Sequence, residues 1–210
     1  MIPVDAFEAS LTLSTDRLCL DFANTVGWHA SPEPAEGLPT YADLVGWAQR
    51  VGLLAEADAK RLRRHAARRP ALAQAVLDRA HSLREAIYRI LSATAQRQAG
   101  AAADLDIVNA ELAVAMGHGK LAPTSGGFIL QWSSEPEALD STLWPAAYSA
   151  ASLLATPELL ERVGECADDR GCGWLFLDMT KNHSRRWCDM KDCGNRAKAR
   201  RHYERQRAII

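Results

Sequence analysis

Cys166-Ala-Asp-Asp-Arg-Gly-Cys172, followed after fifteen residues by Cys188-Asp-Met-Lys-Asp-Cys193, is the stretch of this 210-residue chain whose reading decides the fold. Two close pairs of soft donors, C-x5-C and C-x4-C, stand a hairpin's length apart. Four thiolates so spaced can converge on one tetrahedral ion at about 2.3 Å, the arrangement Zn²⁺ prefers. No N-terminal stretch has the charged flank, apolar run and small-residue cleavage site of a signal peptide, and no run approaches the roughly 18 apolar residues of a membrane span. A cytoplasmic chain with no membrane partner is expected. In a reducing compartment clustered cysteines are more often metal ligands or reactive thiols than disulfides. Zinc ligation by Cys166, Cys172, Cys188 and Cys193 is the first expectation, with disulfides or free thiols as the alternatives. Cys19, far upstream in an apolar stretch, reads as a small buried hydrophobe.

The residues between and beyond the cysteines suggest a geometry. Gly173-Trp-Leu-Phe-Leu-Asp178 has strand composition and Lys181-Asn-His-Ser184 has turn composition, so a second strand is expected to carry Arg185, Arg186 and Trp187 back to Cys188. Ala197 to Ala208 is rich in helix formers. With the last ligand near the helix start, the partial positive charge there favours a thiolate. Knuckle, hairpin and helix in this order resemble the treble-clef arrangement of zinc modules.

Charge is partitioned along the chain although the whole is nearly neutral, at −1. Residues 181–207 hold ten Lys or Arg against three acids, a balance of +7, and the remainder stands at −8. At 100° per residue, Arg196, Arg200 and Arg207 form one helix stripe and Lys198, Arg201 and Arg205 another. Ala199, His202, Tyr203 and Gln206 lie between them and are expected to pack on the hairpin. Two basic stripes suit the phosphates of a nucleic acid. The bland alternative is a solvated basic helix beside an acidic domain.

The remaining three quarters read as helical, with 48% hydrophobic residues overall, enough for one core and a small appended module. Thr40 caps a helix containing Leu44, Val45, Ala48 and Val51, and a second covers Glu56 to Arg68, where a further basic cluster reads as a solvated face. From Pro70, Val76, Leu77, Ala80, Leu83, Ile87, Ile90, Leu91 and Thr94 recur at three- and four-residue steps, predicting about eight helical turns. Ala103 to Met116 is expected to bury Leu105, Val108, Leu112 and Met116. Ser125-Gly-Gly127 then turns a hairpin between Leu121–Thr124 and Phe128–Trp132. Helix resumes after Pro136, with a kink expected at Pro145. Thr156-Pro157 starts a short helical strut towards the first cysteine. The predicted fold is mainly α: a helical domain with a small β-hairpin over residues 1–160, then a treble-clef-like zinc module, hairpin and basic helix, over residues 161–210.

Trp174-Leu-Phe-Leu-Asp178, Asn182-His-Ser-Arg-Arg-Trp-Cys188 and Cys193-Gly-Asn-Arg-Ala-Lys-Ala-Arg-Arg-His202 closely resemble the bacterial CGNR zinc-finger family. Leu18-Cys-Leu-Asp-Phe-Ala-Asn-Thr25 resembles the opening of the ABATE domain, the helical region that precedes the finger in that family of stress-induced transcription regulators. The resemblance implies Zn²⁺ ligation by Cys166, Cys172, Cys188 and Cys193, with Cys166 the ligand it fixes least, and DNA contact through the basic helix.

The combined expectation is a zinc-containing, DNA-binding transcriptional regulator, nucleoid-associated when bound. Arg185, Arg186, Asn195, Arg196, Lys198, Arg200, Arg201, Arg205 and Arg207 are the candidate contacts to double-stranded DNA. The helical domain would sense a small-molecule effector or form a homodimer. Asp21, Asn24 and Trp47, with Trp28 and His29 near them, are candidates for lining a ligand pocket, against the alternative of a buried polar network. A protein-interaction module ordered by zinc is the main rival. A metal-dependent nuclease using His183, Asn195 and His202 is a weaker one, because no carboxylate cluster offers a second metal site. No phosphate-binding loop, nucleophile elbow or dinucleotide fingerprint is present, and the chain is not expected to be an enzyme.

Overall fold

Helix formation follows the apolar periodicity closely in the computed structural model, which describes residues 15–133, 135 and 137–207. The expectations at Pro136 and Ala208, and the first fourteen residues of the helical domain, lie outside the described residues. The longest element is α4 (Pro70–Ala95), preceded by α1 (Thr15–Ala23), α2 (Tyr41–Arg50) and α3 (Glu56–Arg68) and followed by α5 (Ala102–Gly117). At 1.5 Å per residue α4 runs for about 39 Å. Pro70 sits in its first turn, where no backbone donor is lost, and its inner line Val76, Leu77, Ala80, Leu83, Ile87, Ile90 and Leu91 is buried. Burial of each such large aliphatic side chain stabilises the fold by about 1.5–3 kcal/mol. The start of α2 is fixed by a capping box, in which Thr40 accepts from the Asp43 amide and the Asp43 carboxylate accepts from the Thr40 amide.

The helix α6 (Leu143–Leu154) packs between α1 and α5 and follows a 3₁₀ turn, Leu139–Thr142. Pro145, where a kink is expected, falls in the first turn of α6 rather than in its interior, so its missing donor costs no helical bond. Cys19 is fully buried between α1 and α6, its amide donating to Ser149 Oγ at 2.9 Å. Helix α1 ends at Ala23, and Val26 belongs to β1 (Val26–Gly27), which pairs with β2 (Ala35–Glu36).

On α5 the inner face differs from the apolar pattern. Leu105 and Met116, expected inside, are 46% and 49% exposed, whereas Asp104, Val108, Glu111 and Ala115 face the core. Two arginines of α4 decide this rotation. Arg79 clamps Glu111 through Nε and Nη2 at 2.9 and 2.8 Å, and Arg89 clamps Asp104 with contacts of 2.5–3.0 Å. Bidentate pairs of this kind fix orientation as well as adding energy. The predicted hairpin forms as β3 (Gly119–Thr124) and β4 (Gly127–Trp132), turning at Ser125-Gly126.

After the short helix α7 (Pro157–Leu160), β5 (Val163–Glu165) pairs antiparallel with β6 (Leu175–Leu177). The partner of β6 is thus upstream of the first cysteine, and residues 185–187, expected to form the second strand, are coil. Val163, Leu175 and Leu177 join the same hydrophobic core as α1, α4 and α6. The basic helix α8 (Asn195–Arg207) continues from a π-helical turn, Met190–Gly194. Ala199, His202, Tyr203 and Gln206 do not pack on the hairpin; all are exposed, and Ala197 alone among the helix residues is buried.

Candidate metal centre and basic face

Each cysteine is positioned by backbone bonds around it. Cys166 follows β5, its amide donating to Trp174 O at 2.9 Å, and Cys172 precedes β6. The coil to Cys188 is organised by buried Asp178, whose carboxylate accepts from the Thr180 amide, the Thr180 hydroxyl and the Arg185 amide at 2.9, 2.6 and 2.8 Å. A bond from the Ala167 amide to Arg186 O, 2.8 Å, ties the two cysteine segments together. Cys193 lies in the π turn, which Asp189 caps by accepting from the Lys191 amide at 2.7 Å.

All four sulfurs, of Cys166, Cys172, Cys188 and Cys193, lie within 4.8 Å of one another. Cys172 and Cys188 are 3.7 Å apart at sulfur, Cys188 and Cys193 3.5 Å. These separations match the roughly 3.8 Å edge of a tetrahedron with bonds of about 2.3 Å, and they are far from the roughly 2.05 Å of a disulfide. None of the five cysteines forms a disulfide. Burial pushes the Cys172 thiol up, Cys188 up to about 12 and Cys193 up as well; the Cys166 sulfur adds to each, while hydrogen bonds to other sulfurs partly offset the rise at Cys172 and Cys188. A buried thiol set that resists ionising without countercharge is one that a soft divalent cation can hold deprotonated. Cys166, the ligand least fixed by the sequence, is placed with the other three.

The helical domain closes over this centre. The loop between β1 and β2 carries Trp28, which packs against Cys166, Cys172 and Cys193. The His29 amide donates to Cys172 O at 3.1 Å. Gly171 and Gly173, flanking Cys172, have φ of +85° and +65°. A Cβ at Gly173 would lie 2.8 Å from both Ala30 N and Tyr88 Oη, and one at Gly171 2.7 Å from the Ser31 backbone. Glycine is required there twice over, for the left-handed backbone and for the close approach. Beside the centre, Asp168 is buried, and its carboxylate accepts from the Arg170 amide (3.1 Å) and from Arg196 Nε (3.3 Å). Burial opposes its ionisation, yet these bonds hold the carboxyl below its ordinary value.

The nine basic-face candidates divide into two groups. Arg185 is exposed but engaged with its own chain, donating to Trp187 O at 3.0 Å and to Cys188 O and covering the Phe176 ring at 4.4 Å. Asn195 donates to Lys191 O at 3.0 Å, Arg196 is engaged with Asp168 and Cys193, and Arg200 pairs with Asp169 at 2.5 Å. Arg186, Lys198, Arg201, Arg205 and Arg207 are exposed. Lys198, Arg201, His202 and Arg205 line one shallow cleft of about 210 Å³, without an acid. Arg186 and Arg201 stand 5.3 and 5.8 Å from the Trp187 ring, linking that cleft to a larger groove along residues 184–190.

Asp21, Asn24 and Trp47 have three different surroundings. Asp21 is exposed, Trp47 is buried against Phe22 with ring centroids 4.9 Å apart, and Asn24 is bonded to the backbone of Leu175. Of the nuclease candidates, His183 lies in an exposed turn and His202 contacts Gln206 at 3.0 Å. Sequence reasoning missed Asp168, Arg170 and Glu165. The last anchors the module on α4, accepting from Tyr88 Oη at 3.1 Å and Ser92 Oγ at 2.8 Å. Acids beside cysteines in a basic module resemble surface charges, and nothing in their spacing marks them as buried.

Comparison with known proteins gives two family matches along the chain. Residues 16–157 match the family ABATE, described as "Putative stress-induced transcription regulator", and residues 162–206 match the CGNR zinc finger. No curated protein matches the chain. The four clustered cysteines bind zinc.

Proposed function

From the premise that this chain belongs to the ABATE family and ends in a CGNR zinc finger, we propose that it is a transcriptional regulator that binds double-stranded DNA through α8. Zinc, held by Cys166, Cys172, Cys188 and Cys193, gives the finger a fixed interior and supplies no redox chemistry. The observation that carries the reading is the acid-free cleft of Lys198, Arg201, His202 and Arg205 on a helix whose start is anchored at the metal centre. Arg186 and Arg207 extend the same exposed charge, whereas Arg185, Asn195 and Arg200 serve this surface by holding the backbone and neighbouring acids in place. Residues 161–210 are the contact unit and residues 1–160 the regulatory unit, receiving an effector or a second copy of the chain. Action on DNA places the protein in the cytoplasm at the nucleoid; among the described residues no helix is long and apolar enough to cross a membrane. Binding rather than catalysis is the role, in keeping with two families described as regulatory and zinc-finger.

The test is duplex binding against salt, with RNA and an acidic polypeptide as competitors. Affinity is expected to fall by about 0.9 log unit per log unit of salt for each phosphate neutralised. Weak, salt-indifferent duplex binding, or stronger competition by the acidic polypeptide, would replace this reading with that of a protein-interaction module.

A further inference from the structure

Four thiolates around Zn²⁺ leave a net charge of about −2 in a largely buried site, and something in the protein must answer it. Arg196 stands against that charge. Its Nη2 donates to Cys193 Sγ at 2.8 Å, its Nε to Asp168 Oδ2 at 3.3 Å, and its Nη1 to Asp192. Its guanidinium carbon lies 5.2 Å from the Trp28 ring centroid, and Arg170 lies 5.0 Å from the same centroid. Arg170 Nε returns to Asp168 at 3.5 Å, which closes a ring of contacts running Cys193, Arg196, Asp168, Arg170, Trp28. Trp28 comes from the helical domain and every other member from the finger. The arginine of the Cys-Gly-Asn-Arg motif is therefore committed on all its nitrogens to groups of its own chain.

We propose that Arg196 is a positioning residue of the zinc centre, which holds the Cys193 thiolate and clamps Trp28 over the ligands, and that it does not read nucleic acid. This role rests on zinc ligation and is independent of DNA binding. An N–H donor to a ligand sulfur and two fixed cations answer the excess negative charge, and groups outside the ligands commonly change metal affinity 10- to 100-fold. Lysine cannot replace this arginine, because a single ammonium cannot meet a sulfur, two carboxylates and a ring face at once. Trp28 in turn makes metal retention a property of both units: with zinc lost, the indole loses the packed sulfurs beneath it.

The experiment measures zinc transfer from the full chain to a chromophoric chelator, with tryptophan fluorescence followed in parallel. R196A and R196K are expected to release zinc at least about 10-fold faster than the wild type, and W28L faster by a smaller factor. K198A, close by on the same helix and exposed, is expected to release zinc at the wild-type rate. The R196K/W28L pair is expected to be less than additive, since each change breaks the same clamp. Should R196A fail to fold, R196K carries the test, because it keeps the charge and most of the stem. Wild-type release rates in R196K, or equal acceleration in K198A, would overturn the proposal whatever either variant does to DNA binding.

Discussion

Asn24 bonds both backbone groups of Leu175: its Nδ2 donates to Leu175 O and its Oδ1 accepts from the Leu175 amide, each at 2.9 Å. The side chain thus substitutes for a neighbouring strand along the edge of β6 that faces away from β5, and joins the end of α1 to the zinc module. Replacing it by alanine leaves a buried donor and acceptor without partners, at about 1–3 kcal/mol each. Asn24→Ala is expected to lower Tm by about 4–24 °C, given the size of the chain. Asn24→Asp, which keeps the acceptor and turns an oxygen on Leu175 O, is expected to do no better. Thermal unfolding of both variants checks this, and an unchanged Tm would show that the joint adds nothing to stability.

The close approach at Gly173 makes a second test. Gly173→Ala forces a left-handed alanine and a Cβ 2.8 Å from Ala30 N and Tyr88 Oη. Strain and overpacking together are expected to cost about 2–4 kcal/mol. Because the loop that must yield carries Trp28, zinc retention is expected to weaken with stability, measured as metal per chain after dialysis against a chelator.

Acid sensitivity is expected from the pair Arg84 and Glu36. Arg84 is 3% exposed and meets Glu36 through Nη1 and Nη2, both at 2.7 Å. Burial opposes ionisation of Glu36, but the Arg84 bonds, the Leu38 amide and His81 outweigh it and hold the carboxyl below its ordinary value of 4.5. A carboxyl depressed in the folded state contributes stability that is fully present above about pH 4.5 and is lost as pH falls through the lower folded value. Glu36→Gln is therefore expected to lower Tm at pH 7 and to flatten its decline below about pH 4.5. A parallel decline in both proteins would remove this pair from the acid response.

On α8 the exposed cations are expected to act alike. Lys198→Ala, Arg201→Ala and Arg205→Ala should each weaken duplex binding across unrelated sequences and reduce the salt slope by about 0.9 for each phosphate left without its cation. Arg185→Ala should instead lower Tm, since it removes donors to Trp187 O and Cys188 O. Binding isotherms at several salt concentrations, beside thermal unfolding, separate the two effects.

What could be read in advance followed from local rules. The apolar line of α4, the cap at Thr40, the Ser125-Gly-Gly127 turn and the cysteine spacing each announce themselves within a few residues, and each takes the form expected. What could not be read depends on partners distant in sequence. Leu105 and Met116 look like core residues until Arg79 and Arg89 of another helix claim Glu111 and Asp104. Two three-residue strands carry too little pattern to reveal that β6 pairs with β5. The arginines of the basic tail look equivalent in sequence, and only the surroundings of Arg185 and Arg196 set them apart from Arg201 and Arg205.

Val163, Leu175 and Leu177 seal one end of the helical core. Zinc modules are often treated as cassettes to be cut and transplanted, and this one does not suit that use. Severed at residue 161 and fused to a foreign carrier, it would keep every ligand and lose the wall on which its strands lean. The donor left behind would be an open vessel, its leucines bare to water, and neither half of the graft would inherit a finished interior.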